Sequence, residues 1–136
     1  PSAWIAGASV QEMVTGGREL ILGMSRDPQF GPLLMFGLGG ISVEVLKDVS
    51  FRVAPVSRQD AREMVREIRA YPLLAAFRGS EPMDEEAIVD ALLRISRLSL
   101  DFPEIQELDI NPLMVLPRGR GLRAIDCRMA IAEAKR

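Results

Sequence analysis

The apolar residues change their period twice along the chain, and that change limits the folds open to it. From residue 8 to 54 they come in short runs parted by glycine and proline, and from 57 to 98 they recur at helical spacing. From 105 to 127 they form two runs around Pro117-Arg118-Gly119-Arg120-Gly121. Short strands, two helices and a closing hairpin, with no regular β-α-β alternation, predict an α+β fold with a largely antiparallel sheet and two main helices. At 136 residues and 48% hydrophobic composition, the chain suits one domain with a real core.

The strand candidates are Ala8–Val14, Arg18–Met24, Leu33–Phe36, Ser42–Leu46 and Val49–Ala54. Thr15-Gly16-Gly17 is expected to fold the first back on the second as a hairpin, and Asp27–Pro32 reads as a loop. Ser57 and Asp60 have capping-box spacing, and Ala61, Met64, Val65 and Ile68 form one stripe behind them. A second helix is predicted from the cap Asp84, with Met83 and Ile88 at hydrophobic-staple spacing. Its stripe is Ile88, Ala91, Leu92, Ile95 and Leu98, with Arg94 and Arg97 facing outward. Tyr71–Pro82 connects the helices, and strands are expected over Ile105–Leu116 and Leu122–Cys127.

Charge and absent residues narrow the chemistry. A net charge of −2, a pI near 5.2 and no basic run argue against nucleic acid as a partner. No apolar run approaches the length of about 18 residues that a membrane helix needs, and the first residues lack a signal-peptide plan. The single cysteine, Cys127, permits no internal disulfide and fits a reducing cytoplasm. There is no histidine, which excludes His-based acid–base work, Ser-His triads and His zinc sites within this chain. Any catalysis must rest on carboxylates, amides, arginine, lysine and backbone groups.

The closing hairpin is where such groups converge. With the turn centred between Arg118 and Gly119, Asn111 falls opposite Asp126, at a Cβ separation of about 4.5–5.5 Å. Period-two alternation adds Asp109 and Arg128 to the same face. Two readings stay open here. Hard oxygen ligands on adjacent strands suit Mg²⁺ with phosphate oxygens and water, while Asn111-Pro112 is also a turn signal with acids facing solvent. Gly37-Leu38-Gly39-Gly40 reads better as a tight turn than as a phosphate loop. Ser42 stands where a third glycine is needed, and no Gly-Lys-Ser/Thr is present. By composition Val10–Val14 is only a strand, with Glu12 and Glu19 interrupting an apolar hairpin.

In combination these segments resemble the ATP-grasp domain of NDP-forming acyl-CoA synthetases, the ADP-forming acetyl-CoA synthetase group related to succinyl-CoA synthetase. The matching runs are Val10–Val14, Glu19–Met24, Arg26–Pro32, Phe36–Gly40, Val43–Asp48, Glu107–Leu113 and Ala124–Arg128, in family order. The resemblance implies that Gln11, Glu12, Met13 and Val14 form the hinge strand holding the adenine edge of ATP or ADP. It implies that Glu19 reaches the ribose, and that Asn111 and Asp126 are paired Mg²⁺ ligands with Asp109 beside them. Glu44, Lys47 and Arg128 are then expected near the phosphates, with Lys47 and Arg128 in the catalytic role.

The parent reaction so implied is acyl-CoA + ADP + phosphate ⇌ acid + CoA + ATP, through an acyl phosphate and a phosphohistidine. Residues 1–136 are expected to be one partial ATP-grasp domain without its N-terminal subdomain. The phosphate-binding lysine, CoA-binding parts and relay histidine would lie in the remainder of the synthetase, the expected partner. A cytoplasmic location is expected, with no nucleic-acid or membrane partner. Two alternatives remain at this stage: an ATP-grasp-like regulatory module of a protein lysine acetyltransferase, and a non-catalytic structural domain.

Overall fold

A computed structural model describes residues 6–40, 47–76 and 79–132. The strands are β1 (Arg18–Asp27), β2 (Gly31–Leu38), β3 (Val49–Val53), β4 (Ile105–Val115), β5 (Leu122–Ala124) and β6 (Cys127–Ile131). Between β3 and β4 lie helices α1 (Arg58–Glu67) and α2 (Glu85–Asp101), joined by a connector with a 3₁₀ turn at Tyr71–Leu73. Among the described residues the strands form one antiparallel sheet ordered β3-β2-β1-β4-β5, with β6 following β5 along the same edge of β4. The α+β expectation and its two main helices are borne out.

Two expectations are corrected. Residues 6–15 form no strand, and Val10 and Met13 are almost fully exposed, so Thr15–Gly17 closes no hairpin. A β-competent sequence still needs a neighbour for its N–H and C=O groups, and both edges of β1 are taken by β2 and β4. The hairpin instead lies one element later. Asp27 accepts hydrogen bonds from the N–H groups of Gln29 (2.7 Å) and Phe30 (2.9 Å), which tightens the expected loop into a short turn between β1 and β2. The predicted strand Ser42–Leu46 and the site candidate Glu44 lie outside the described residues.

Both helices pack on one face of the sheet. Leu20, Leu22, Leu34, Phe36, Leu113 and Val115 meet Ala61, Met64, Val65, Ile88, Val89 and Leu92, all essentially without solvent contact. The capping box of α1 forms as predicted, Ser57 N–H donating to Asp60 Oδ2 (2.9 Å) and Asp60 N–H to Ser57 Oγ (3.1 Å). The buried face of α2 is wider than its aliphatic stripe, because Ser96 and Ser99 are buried too. Ser96 Oγ accepts from Val56 N–H (2.9 Å) and Ser99 Oγ donates to Ser96 O (2.8 Å), so neither hydroxyl is left unsatisfied.

Candidate functional site

A bulge in β4 builds the site. Leu20 pairs with Leu113 and Leu22 with Ile110, so Ile21 alone faces the two residues Asn111 and Pro112. Before the bulge Leu108 and Ile110 turn toward the helices; after it Leu113 and Val115 do. Asp109 and Asn111 therefore point away from the helices, onto the open face. Proline suits the position because a bulge leaves its missing N–H without consequence for the ladder.

Across from them, the returning strand keeps the register expected from the sequence. Val115 pairs with Leu122, Leu113 with Ala124, Ile110 with Cys127 and Asp109 with Arg128. The strand is nonetheless interrupted at Ile125 and Asp126, which separates β5 from β6. Hydrogen bonds cross the gap: Asn111 N–H donates to Asp126 O (3.1 Å) and Ile125 N–H to Pro112 O (3.0 Å). The side chains of Asp109, Asn111, Asp126 and Arg128 line one recess of about 190 Å³. Asp109 is half-buried and the other three are exposed.

The donor set is two carboxylates and a carboxamide beside a guanidinium. Asp126 Oδ1 accepts the Cys127 N–H (2.9 Å), which orients the carboxylate and leaves Oδ2 for a ligand. Among the described residues neither Asp109 nor Arg128 is in an ion pair, so their charges are available. Among those residues no three acidic, cysteine or histidine side chains cluster into a complete cage. Such a set fits Mg²⁺, which takes one or two carboxylates and fills its other positions with water and phosphate oxygens.

The other candidates lie elsewhere on the sheet. Glu19 opens β1, exposed, next to the glycine run: its carbonyl accepts the Gly39 N–H at 2.7 Å. A Cβ on Gly39 would stand 3.0 Å from the Glu19 backbone, so Gly39 packs closely on β1, while Gly37 and Leu38 are part of β2 rather than of the expected turn. Lys47 is exposed, with φ at 48°, just ahead of edge strand β3. Three strands separate β3 from the edge carrying Arg128, so the structure does not bring Lys47 into the recess. Gln11, Glu12 and Met13 are exposed and Val14 half-buried in the segment before β1.

A recess that sequence reasoning passed over adjoins the polar one. About 360 Å³ in volume, it is lined by Ile21, Gly23, Met35, Phe51 and Asp109 among others. Its signal was the glycine in β1, where a side chain would otherwise fill the open face.

Residues 1–131 match the ATP-grasp domain family. The chain belongs to that family. It is 57% identical over 133 residues to ADP-forming acetate–CoA ligase I of Archaeoglobus fulgidus, covering 98% of this chain and 19% of that protein. It is 52% identical over 131 residues to the beta subunit of ADP-forming acetate–CoA ligase I of Pyrococcus furiosus, covering 96% of this chain and 56% of the subunit. Among solved structures, it superimposes with a TM-score of 0.84 and 53% identity on dinucleotide-forming acetyl-coenzyme A synthetase 1 of Ca. Korarchaeum cryptofilum, solved with coenzyme A and Mg-AMPPCP. That match covers 89% of this chain and 56% of the other. This ATP-grasp chain thus spans about a fifth to somewhat over half the length of these relatives.

Proposed function

We propose that this chain forms the nucleotide- and Mg²⁺-binding wall of an ADP-forming acyl-CoA synthetase, catalysing acyl-CoA + ADP + phosphate ⇌ acid + CoA + ATP. The observation that carries the reading is the recess of Asp109, Asn111, Asp126 and Arg128, whose oxygens suit a metal that also holds phosphates. The ADP-forming ligases to which the chain is 57% and 52% identical support the reaction class. Residues 1–136 are then one part of an ATP-grasp domain, completed by an N-terminal subdomain in a larger synthetase. The acyl phosphate, the phosphohistidine and CoA belong to its remainder, in the cytoplasm.

Within this chain the roles proposed are those that the family resemblance implies for these residues. Asp126 and Asn111 hold Mg²⁺, with Asp109 beside them, and the bound ion neutralises charge on the nucleotide phosphates. Arg128, cross-strand from Asp109, places a guanidinium where charge spreads over the transferring phosphoryl oxygens. The apolar recess next to Asp109 takes the apolar face of the nucleoside, whose adenine edge and ribose hydroxyls are left to the groups named below, and this turns the phosphates toward the polar recess. Glu19 and Lys47, at the end of the sheet where β1 and β3 begin, serve the ribose and the outer phosphates, with Gln11–Val14 on the adenine and Glu44 in support.

The test is calorimetry of the intact protein with ADP, with and without Mg²⁺, beside an assay for ATP formed from acetyl-CoA, ADP and phosphate. Mg²⁺-dependent ADP binding that Asp126→Ala abolishes is expected. ADP affinity indifferent to both Mg²⁺ and Asp126 would overturn the assignment.

A further inference from the structure

The loop joining β4 to β5 is held from outside the hairpin by one carboxylate. Asp84, the N-cap of α2, accepts the Ala87 N–H through Oδ1 at 3.3 Å. Its Oδ2 accepts the N–H groups of Gly119 and Gly121, each at 2.9 Å. Those glycines have φ of 80° and 73°, left-handed conformations that only glycine adopts without strain, and they turn both N–H groups onto one acceptor. The chain entering the cap runs beside the same loop: Asp84 N–H donates to Leu116 O and Arg118 N–H to Pro82 O, both at 2.9 Å. The start of a helix is thereby bonded to the turn of a hairpin 35 residues away.

The register of that hairpin decides what stands beside Asn111. β5 contributes only three residues, and the ladder breaks at Ile125 and Asp126 before β6 resumes it. A slip of one residue would bring Ile125 or Cys127 opposite Asn111 and turn the Asp126 carboxylate to the other face. The break is pinned on one side by β6 and on the other by β5 and its turn.

We propose that Asp84 is a positioning residue for the metal–phosphate recess: its Oδ2 fixes the β4–β5 turn, and so sets Asp126 beside Asn111. This rests on the function proposed above. Asp84 itself does not line the recess.

Asp84→Ser separates the two tasks of the carboxylate, because serine caps a helix well but has no second oxygen for the turn. Ser57→Ala, which removes the cap of α1 and leaves the hairpin intact, controls for lost stability. In the intact protein, amide exchange at Gly119, Gly121, Asn111 and Ile125 is expected to quicken about tenfold in Asp84→Ser and to stay unchanged in Ser57→Ala. The Mg²⁺ concentration for half-maximal phosphoryl transfer is expected to rise about tenfold in Asp84→Ser only, as when the outer partners of metal ligands are lost. Asp84→Asn, with one carbonyl oxygen left, falls between wild type and Asp84→Ser in both measurements. Unchanged exchange at Asn111 and Ile125, or a Mg²⁺ requirement equal to that of Ser57→Ala, overturns the proposal. Asp126→Ala tells the two failures apart. If it abolishes the Mg²⁺ response while Asp84→Ser does not alter it, only the role of Asp84 falls; if it also leaves the response intact, the metal reading falls with it.

Discussion

A carboxylate that already accepts a backbone hydrogen bond is aimed before any ligand arrives. Asp126 is so aimed by the Cys127 N–H, at no cost to its exposed Oδ2. Asp126→Asn keeps the shape and removes the charge, so Mg²⁺-dependent phosphoryl transfer should fall about a hundredfold, the scale of losing one charge-stabilising group. Stability should move by less than about 0.5 kcal/mol, since the side chain is exposed; thermal melts and an Mg²⁺ titration of the rate check both halves. Asn111→Asp should retain metal binding while altering phosphate positioning, read as a change in nucleotide affinity at saturating Mg²⁺. Glu19 makes the matching case for the ribose: exposed at the start of β1, it contributes little packing. Glu19→Ala should weaken nucleotide binding by about 1.5–3 kcal/mol with an unshifted melt, measured by calorimetry.

At the scale of single elements, what could be read from the sequence depended on whether an element carries its own constraint. The hairpin of β4 with β5 and β6 was legible because its turn and its two apolar runs are adjacent, so Asn111 and Asp126 could be paired by counting. The interruption at Ile125 and Asp126 was not, because it answers a bulge around Pro112 that only the pairing with β1 creates. Ala8–Val14 failed for the opposite reason: its composition is strand-like, but both edges of β1 are already taken by β2 and β4. Helix α1 announced itself through Ser57 and Asp60, and its cap carries a pH signature. The Ser57 hydroxyl and N–H both donate to Asp60 and hold its carboxyl below the ordinary value of 3.8. A carboxyl lowered in the folded state stabilises above its unfolded pKa, and that help drains away as pH falls through the folded one. Asp60→Asn should therefore lower the melting temperature at neutral pH and flatten its decline in acid, in melts taken from pH 7 to 2. An acid limb as steep as that of wild type would remove Asp60 from the account.

Across the whole molecule, the two faces of one sheet are committed differently. Toward the helices lies the core, where Leu92 of α2 is fully buried among Leu20, Phe36 and their neighbours. Away from them, Phe51 and Val53 stay half exposed, and Ile21, Gly23 and Met35 floor a recess that opens beside Asp109. Stability and ligand binding should therefore separate by face. Leu92→Ala removes buried methyl groups and leaves a cavity, at a cost of about 2–5 kcal/mol, while the open face keeps its shape. Gly23→Val does the reverse. A Cβ at Gly23 stands 3.3 Å from the Met35 terminal methyl, the far end of a flexible side chain, and 3.5 Å from Leu108 O, so the strand accommodates it. Valine favours strand backbone but fills the recess, and its branches oppose whatever lies over β1. In the intact protein Gly23→Val should lower Mg-ADP affinity about tenfold, or 1.4 kcal/mol, with little change in the melt. Leu92→Ala should lower the melt and leave the affinity of the folded protein alone. Calorimetry and thermal denaturation of both variants decide the matter: equal affinities for Gly23→Val and wild type would place the nucleotide away from this face.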